Sequence, residues 1–76
     1  MISKEDAIEI ATKEAIRTGS GPEDLEKMHR EVKSDGNLWI VQWWPEHNET
    51  NYDLSISVNK KTGAIEDVVS GQISHR

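Results

Sequence analysis

The chain has no cysteine and no phenylalanine, and it contains one tyrosine and two prolines in 76 residues. Without cysteine it can form no disulfide, no thiol nucleophile and no cysteine-based zinc site. Its longest apolar run is the four residues 38–41, whereas a membrane-spanning helix needs roughly 20. The sequence therefore predicts no membrane insertion, and its N-terminus lacks the hydrophobic stretch of a signal peptide.

Basic residues are also scarce. Nine Lys and Arg stand against 14 Asp and Glu, which gives a formal net charge of −5. Such a chain repels phosphate backbones and anionic membranes at long range, so no nucleic-acid partner is expected. Because only 34% of the residues are hydrophobic, a domain of this size has a thin core. One sheet face covered by one helix is the simplest arrangement.

What the chain does have is tryptophan, with all three residues in the segment LWIVQWW at 38–44. Side chains alternate between the two faces of a strand, so Trp39, Val41 and Trp43 share one face. Trp39 is predicted to be a core side chain. Trp43 lies near the strand end, so a position in the core and a position on a contact surface remain equally open for its side chain. Trp44 shares its face with Gln42 and is predicted to be exposed.

The N-terminal segment has the pattern of an amphipathic helix over residues 4–18. Ser3 is a good N-cap, and Asp6 stands at the capping-box position three residues later. Gly19 and its neighbours end the helix. Its apolar stripe is mostly alanine, which allows close packing on large side chains; its members are Ala7, Ile8, Ile10, Ala11 and Ala15.

Strand patterns occupy most of the remaining chain, at about 28–33, 38–44, 52–59 and 64–69. Pro22 begins one short helical turn before them. Asp35-Gly36 predicts a tight hairpin between the first two strands, and Gly63 a turn between the last two. Polar residues alternate with apolar ones over 52–59, which predicts a solvent-facing side that includes Ser55. The predicted fold is a single α+β domain, 1–76, with the N-terminal helix packed on a three- to four-stranded antiparallel β-meander.

Two segments together resemble a PepSY domain. They are the helix start at residues 2–11, ISKEDAIEIA, and the hairpin at residues 52–65, YDLSISVNKKTGAI. The family shows a Ser-x-x-x-Ala-x-x-x-Ala helix, a strand with an aromatic residue and a valine, matched here by Trp39 and Val41, and a hairpin turn that ends in Thr-Gly. The resemblance implies a cystatin-like helix on a curled sheet and a non-catalytic role as an inhibitor or regulator of a partner such as a peptidase.

This chain departs from the family in two respects. PepSY proteins are usually exported or membrane-tethered, whereas the sequence as written predicts a cytoplasmic protein, or an exported or cell-envelope one if it is a piece of a longer PepSY protein. The ending Trp43-Trp44-Pro45 is not part of the family pattern. A fainter resemblance is to small bacterial immunity proteins, which neutralise toxins and also pair an Ala-rich helix with a Trp-containing strand.

Catalytic and metal-binding alternatives are disfavoured by the sequence. His47 lies near Glu46, Glu49 and Asp53, but the spacing matches no metal motif and is typical of a polar loop. A Ser-His-Asp set from Ser55, His47 and Asp53 lacks a nucleophile elbow, and a sheet surface offers no oxyanion hole. We therefore expect no enzyme activity and no cofactor.

The sequence thus favours a protein-binding, regulatory module. The residues predicted to contact the partner are Trp43, Trp44, Glu46 and His47, with Trp44 as the anchor and the acidic loop supplying charge complementarity. The expected partner is another protein, and unpaired sheet edges also favour a homodimer. The alternative function is that of an immunity protein, acidic because its toxin is basic.

Overall fold

The computed structural model describes residues 1–44 and 54–70. Within them no helix is long and apolar enough to cross a membrane. The four strands form one sheet in the order β1-β2-β3-β4, and all neighbours are antiparallel. The predicted α+β fold, with a helix packed on an antiparallel meander, is confirmed. The elements are α1 (Lys4–Arg17), α2 (Pro22–Lys27), β1 (His29–Asp35), β2 (Leu38–Trp44), β3 (Leu54–Asn59) and β4 (Ile65–Ser70).

Both ends of α1 are held by short-range polar contacts. The Ser3 hydroxyl accepts a hydrogen bond from the Asp6 backbone N–H at 3.1 Å, and the Asp6 carboxylate accepts one from the Ser3 N–H at 3.4 Å. This is the predicted capping box, an N-cap of a kind that stabilises a helix by about 1 kcal/mol. In the last turn Arg17 donates two hydrogen bonds to Glu14, at 3.0 and 2.6 Å. These bonds lower the pKa of Glu14 and raise that of Arg17.

The β1–β2 hairpin has a two-residue loop, Gly36-Asn37, because Asp35 pairs with Leu38. Gly36 has φ +59° and Asn37 a negative φ. A glycine with positive φ at the first loop position is what a type II′ turn requires. The loop thus lies one residue later than the predicted Asp-Gly centre, and β1 extends to Asp35 instead of residue 33.

The β3–β4 connection combines a side-chain-stabilised turn with a bulge. The Asn59 side chain accepts hydrogen bonds from the backbone N–H groups of residues 61 and 62, at 2.8 and 3.0 Å. Gly63 has φ +78°, as the sequence predicts. Val68 pairs with Ile56 and Ile65 with Val58, so β4 carries one extra residue. This bulge lets Ile65 and Val68, three positions apart, both pack against the core.

The core lies between α1 and the two central strands, β2 and β3. Three alanines of α1 are fully buried, so the helix lies close to the sheet. Ser55 of β3 is only 9% exposed, although its alternation predicts a solvent-facing side chain. That prediction is wrong, because β3 is an interior strand with Gln42 on one side of Ser55 and Val69 on the other. The core residues are Ala7, Ala11, Ala15, Leu25, Val41, Trp43, Leu54, Ile56 and Val58.

Candidate functional site

Strand β2 presents the tryptophans to two different environments. Val41 and Trp43 point towards α1 and belong to the core; we call this side of the sheet the inner face. Both described helices lie on it, since the alanines of α1 and Leu25 of α2 belong to the same core. The opposite side, the outer face, carries four β2 side chains that are partly exposed and outside the core: Leu38, Ile40, Gln42 and Trp44.

Trp43 is a core side chain. It is 2% exposed and is the largest fully buried residue described. On the sheet it lies between Arg30 of β1 and Leu54 of β3. A ring with so little exposed surface cannot be a partner contact in the folded protein. Its place among the predicted contact residues is therefore wrong, because the helix covers the strand as far as its last inward-facing position.

Trp39 is held in a structural position at the other end of the inner face. Its indole N–H donates to the Ile2 carbonyl oxygen at 3.3 Å, and the Lys60 ammonium lies 4.6 Å from the ring centroid, in cation–π range. Lys60 also donates to the Ser34 hydroxyl. Trp39 packs against the core and remains partly exposed. Its hydrogen bond to Ile2 joins the N-terminus to the sheet, and together with Lys60 this contact leaves little of the ring surface free.

Trp44 lies on the outer face beside His29. The two residues are register partners in the β1–β2 ladder, and their ring centroids are 5.1 Å apart with an interplanar angle of 44°. Sequence reasoning missed His29. The hairpin contained the signal, since a loop at Gly36-Asn37 places residue 29 opposite residue 44 by counting back along both strands.

The indole N–H of Trp44 is buried and has no hydrogen-bond acceptor among the described residues. An unpaired buried donor costs about 1–3 kcal/mol. Buried polar groups in native proteins nearly always have a partner, so an exception requires a physical account. The ring would gain free energy from any rearrangement that brings its N–H to an acceptor.

We define the outer patch as the apolar and aromatic side chains Leu38, Ile40, Trp44 and His29. Charged residues of β1 and β4 flank it on the same face of the sheet. Asp35 pairs with Leu38 and Lys33 with Ile40 on β1, while Asp67 lies on the same face of β4, paired with Ser57. With Glu31, which pairs with Gln42, the flanking groups comprise three carboxylates and one ammonium. The surroundings of the patch are therefore net acidic.

The remaining predicted contact residues, Glu46 and His47, lie outside the described residues, as do Glu49 and Asp53 of the metal-site alternative. Among the residues that the structure describes, no group of three His, Asp or Glu side chains could hold a metal ion. Of the imagined catalytic set, Ser55 is described and is buried between strands. The prediction that the chain is not an enzyme and needs no cofactor stays a prediction.

A cavity of about 250 Å³ opens between α1, α2 and the inner face. Drug-sized ligands usually occupy about 300–1,000 Å³, so this cavity is at the lower limit. Trp43 and Leu25 supply its apolar part, and both are buried. It is lined by Thr12, Pro22, Leu25, Glu26, Arg30 and Trp43.

The geometry defines an α+β domain with a helix-covered inner face and an outer face on which apolar side chains are flanked by three carboxylates and one ammonium. Comparison of the chain with protein-family models, with curated proteins and with solved structures gives no match. The resemblance to PepSY domains stays a prediction, and the functional argument rests on the outer patch.

Proposed function

We propose that this chain is a non-enzymatic, PepSY-like module that binds an apolar segment with basic neighbours on a partner protein, through the outer patch. The observation that supports this most is the position of Trp44. It lies on the face opposite both described helices, outside the core, and its indole N–H is buried without an acceptor among residues 1–44 and 54–70. Tryptophan is among the residues that most often contribute the largest share of interface binding energy.

The patch has the mixed character of an interface centre. Leu38 and Ile40 lie on the same face of β2 as Trp44, from which Gln42 separates them, and aromatic and aliphatic anchors among polar residues are typical of protein interfaces. Because the indole N–H is buried, a partner could reach it only if the ring turns; an acceptor on the partner would then recover the cost of leaving that donor unpaired. Both terms favour a bound state over the free protein.

Charge selects the kind of partner. The chain carries a formal net charge of −5, and Glu31, Asp35 and Asp67 lie on the face that carries the patch. Such a surface attracts basic segments and accelerates their association. The PepSY resemblance adds the expectation that binding inhibits or regulates the partner, for example a peptidase.

A peptide selection tests this proposal. Random peptides displayed on phage are selected against the purified protein, and the recovered peptides are titrated against variants. We expect them to be enriched in apolar and basic residues, and Trp44→Ala to weaken them by at least about tenfold, the effect of losing an interaction of about 1.4 kcal/mol. The matched control is Ile16→Ala, which removes an apolar side chain that is 41% exposed on α1.

The indole N–H resonances supply a second readout. On peptide binding, the NMR signal of Trp44 should shift strongly, while those of Trp43 and Trp39 should move little because these rings lie on the inner face. Peptides that bind Trp44→Ala as tightly as the unaltered protein, or a selection dominated by acidic peptides, would refute the proposal.

The acidic character of the chain also favours the alternative, an immunity protein that blocks a basic toxin. In that case a basic nuclease should be inhibited stoichiometrically. Its association rate should fall steeply when salt is raised, because screening shortens the range of the attraction. Inhibition that is insensitive to salt would count against a charge-based immunity role.

A further inference from the structure

Strand β1 forms one edge of the sheet, and its free side is exposed. It pairs with β2 alone among the described strands. Six of its seven residues are exposed, and only Val32 is partly buried. An edge strand presents unpaired backbone N–H and C=O groups that can bind another strand. The question is which strand it would accept.

The charges on the outer face of β1 have no opposite charge directly across from them on β2. On the outer face, Glu31 lies opposite Gln42, Lys33 opposite Ile40, and Asp35 opposite Leu38. In the part of the chain that the structure describes, none of these three side chains takes part in an ion pair. Opposite charges stabilise a sheet when they lie directly across from each other on neighbouring strands. β1 therefore displays charges whose complement would have to come from the strand on its free side.

We propose that the strand that fits this edge is β1 of a second copy, paired antiparallel about Val32. In this register Glu31 lies opposite Lys33 of the other copy, and Lys33 opposite Glu31. His29 lies opposite Asp35, to which its imidazole N–H can donate, and Val32 meets its own counterpart. The two-fold symmetry doubles every favourable pair. The residues involved form the strand sequence HREVKSD.

Other registers are disfavoured by the same charges. Side chains alternate in direction, so only slips of two residues keep the outer faces of the two copies on the same side. A slip of two in one direction places Glu31 opposite Glu31. A slip of two residues in the other direction puts Lys33 opposite Lys33 and Glu31 opposite Asp35. A slip of four residues, centred on Ser34, brings Lys33 opposite Asp35 but pairs only residues 33–35 of the two strands. The symmetric register about Val32 is the one that pairs the whole strand and brings opposite charges together.

The other sheet edge offers no such fit. β4 carries two charged residues, Glu66 and Asp67, both negative, so two copies of β4 can bring no opposite charges together. The bulge opposite Ser57 and Val58 also interrupts its ladder, and bulges protect edges from pairing. Pairing through β1 produces an eight-stranded sheet with both α1 helices on one face and both outer patches on the other. The inference goes beyond the proposed function, because it concerns the edge of the sheet and uses only His29 of the outer patch.

Charge reversal and recombination test the register. Sedimentation velocity over a concentration series measures the association. The experiment is run at ~0.15 M salt, where the Debye length is about 8 Å, because screening reduces the repulsion between like-charged copies. We expect a weak dimer of the unaltered protein. Glu31→Lys and Lys33→Glu, each alone, should weaken it by at least about tenfold, since each turns two attractive pairs into repulsive ones.

The decisive sample is the mixture of these two variants. A Glu31→Lys copy has lysine at positions 31 and 33, and a Lys33→Glu copy has glutamate at both positions. Each lysine of the first copy therefore lies opposite a glutamate of the second. The mixture should dimerise at least as well as the unaltered protein, and so should the double variant Glu31→Lys/Lys33→Glu. Zero-length carbodiimide cross-linking of ¹⁵N-labelled with unlabelled protein should join Glu31 of one copy to Lys33 of the other.

The control is Asp67→Lys, which makes the same change in net charge as Glu31→Lys but on the opposite edge, and it should leave dimerisation unchanged. Circular dichroism confirms that each variant is folded, as expected for exposed positions. A protein that stays monomeric at millimolar concentration would overturn the proposal. A dimer that survives Glu31→Lys but is lost in Trp44→Ala would also overturn it, because it would indicate pairing through the outer patch. A mixture of Glu31→Lys and Lys33→Glu that remains monomeric would overturn it as well.

Discussion

Trp43 and Trp44 are the same residue type, adjacent on one strand, and their environments are opposite. Trp43 is 2% exposed and packs within the core beneath the described helices. Trp44 lies outside the core on the face away from those helices and beside His29, and its N–H has no acceptor in the part of the chain that the structure describes. In this thin domain, one sheet face therefore buries its large side chains beneath the helices, and the other holds them outside the core.

The strongest way to break this comparison is to remove the inner ring. Trp43→Ala should lower the free energy of unfolding by about 3–5 kcal/mol, since it leaves a large cavity in the core. Urea titration followed by circular dichroism measures the change. Because a domain of this size is stable by only about 4–11 kcal/mol, Trp43→Phe serves as a milder variant that should retain the fold with a smaller loss. A loss below about 1 kcal/mol for Trp43→Ala would contradict a core position.

A smaller loss of stability is expected from enlarging a buried alanine of α1 that packs on the inner face. Ala11 is fully buried, so Ala11→Leu should force the helix away from β2 and β3 and cost about 1–3 kcal/mol. Thermal unfolding provides the measurement. Lys13→Leu is the matched control on the same helix, where the side chain is 77% exposed, and its cost should stay within about 0.5 kcal/mol. Equal effects at the two positions would show that α1 does not lie close to the sheet.

The smallest stability effect is expected on the outer face. Trp44→Ala should cost about 1 kcal/mol, the scale of the contact with His29, offset in part by removal of the unpaired N–H. The comparison is sharpened by measuring this variant beside Trp43→Ala under the same conditions. If the two losses were equal, Trp44 would have to contribute to the core, and the distinction between the two faces would fail.

Local sequence signals predicted much of the fold, because the interactions behind them span only a few residues. The Ser3 cap acts through a residue three positions away, and Gly63 has the positive φ that its turn requires. The bounds of β2 agree with the prediction, since they depend on its apolar composition and on Pro45 after it. The β4 bulge could not be predicted, because it arises from matching Ile65 and Val68 to a neighbouring strand.

For the candidate site, the structure places Trp43 in the core, and the role of Trp44 as a contact residue stays a prediction. Alternation places Trp43 and Trp44 on opposite faces, but it contains no information on how far α1 extends along the strand. The pairing of His29 with Trp44 depends on a loop that differs by one residue from the predicted centre. The burial of Ser55 follows from the strands on both sides of it, which a single strand pattern does not reveal.

Periodicity, caps and turn residues are local features, and they were enough to predict the classes of element, their order and the division of the tryptophans between two faces. The packing of the helices on the sheet determines which face became the core and which ring lies outside it, and strand pairing determines that the charges of β1 lie at an edge. Those outcomes depend on packing and pairing between segments far apart in the chain, and no local pattern encodes them.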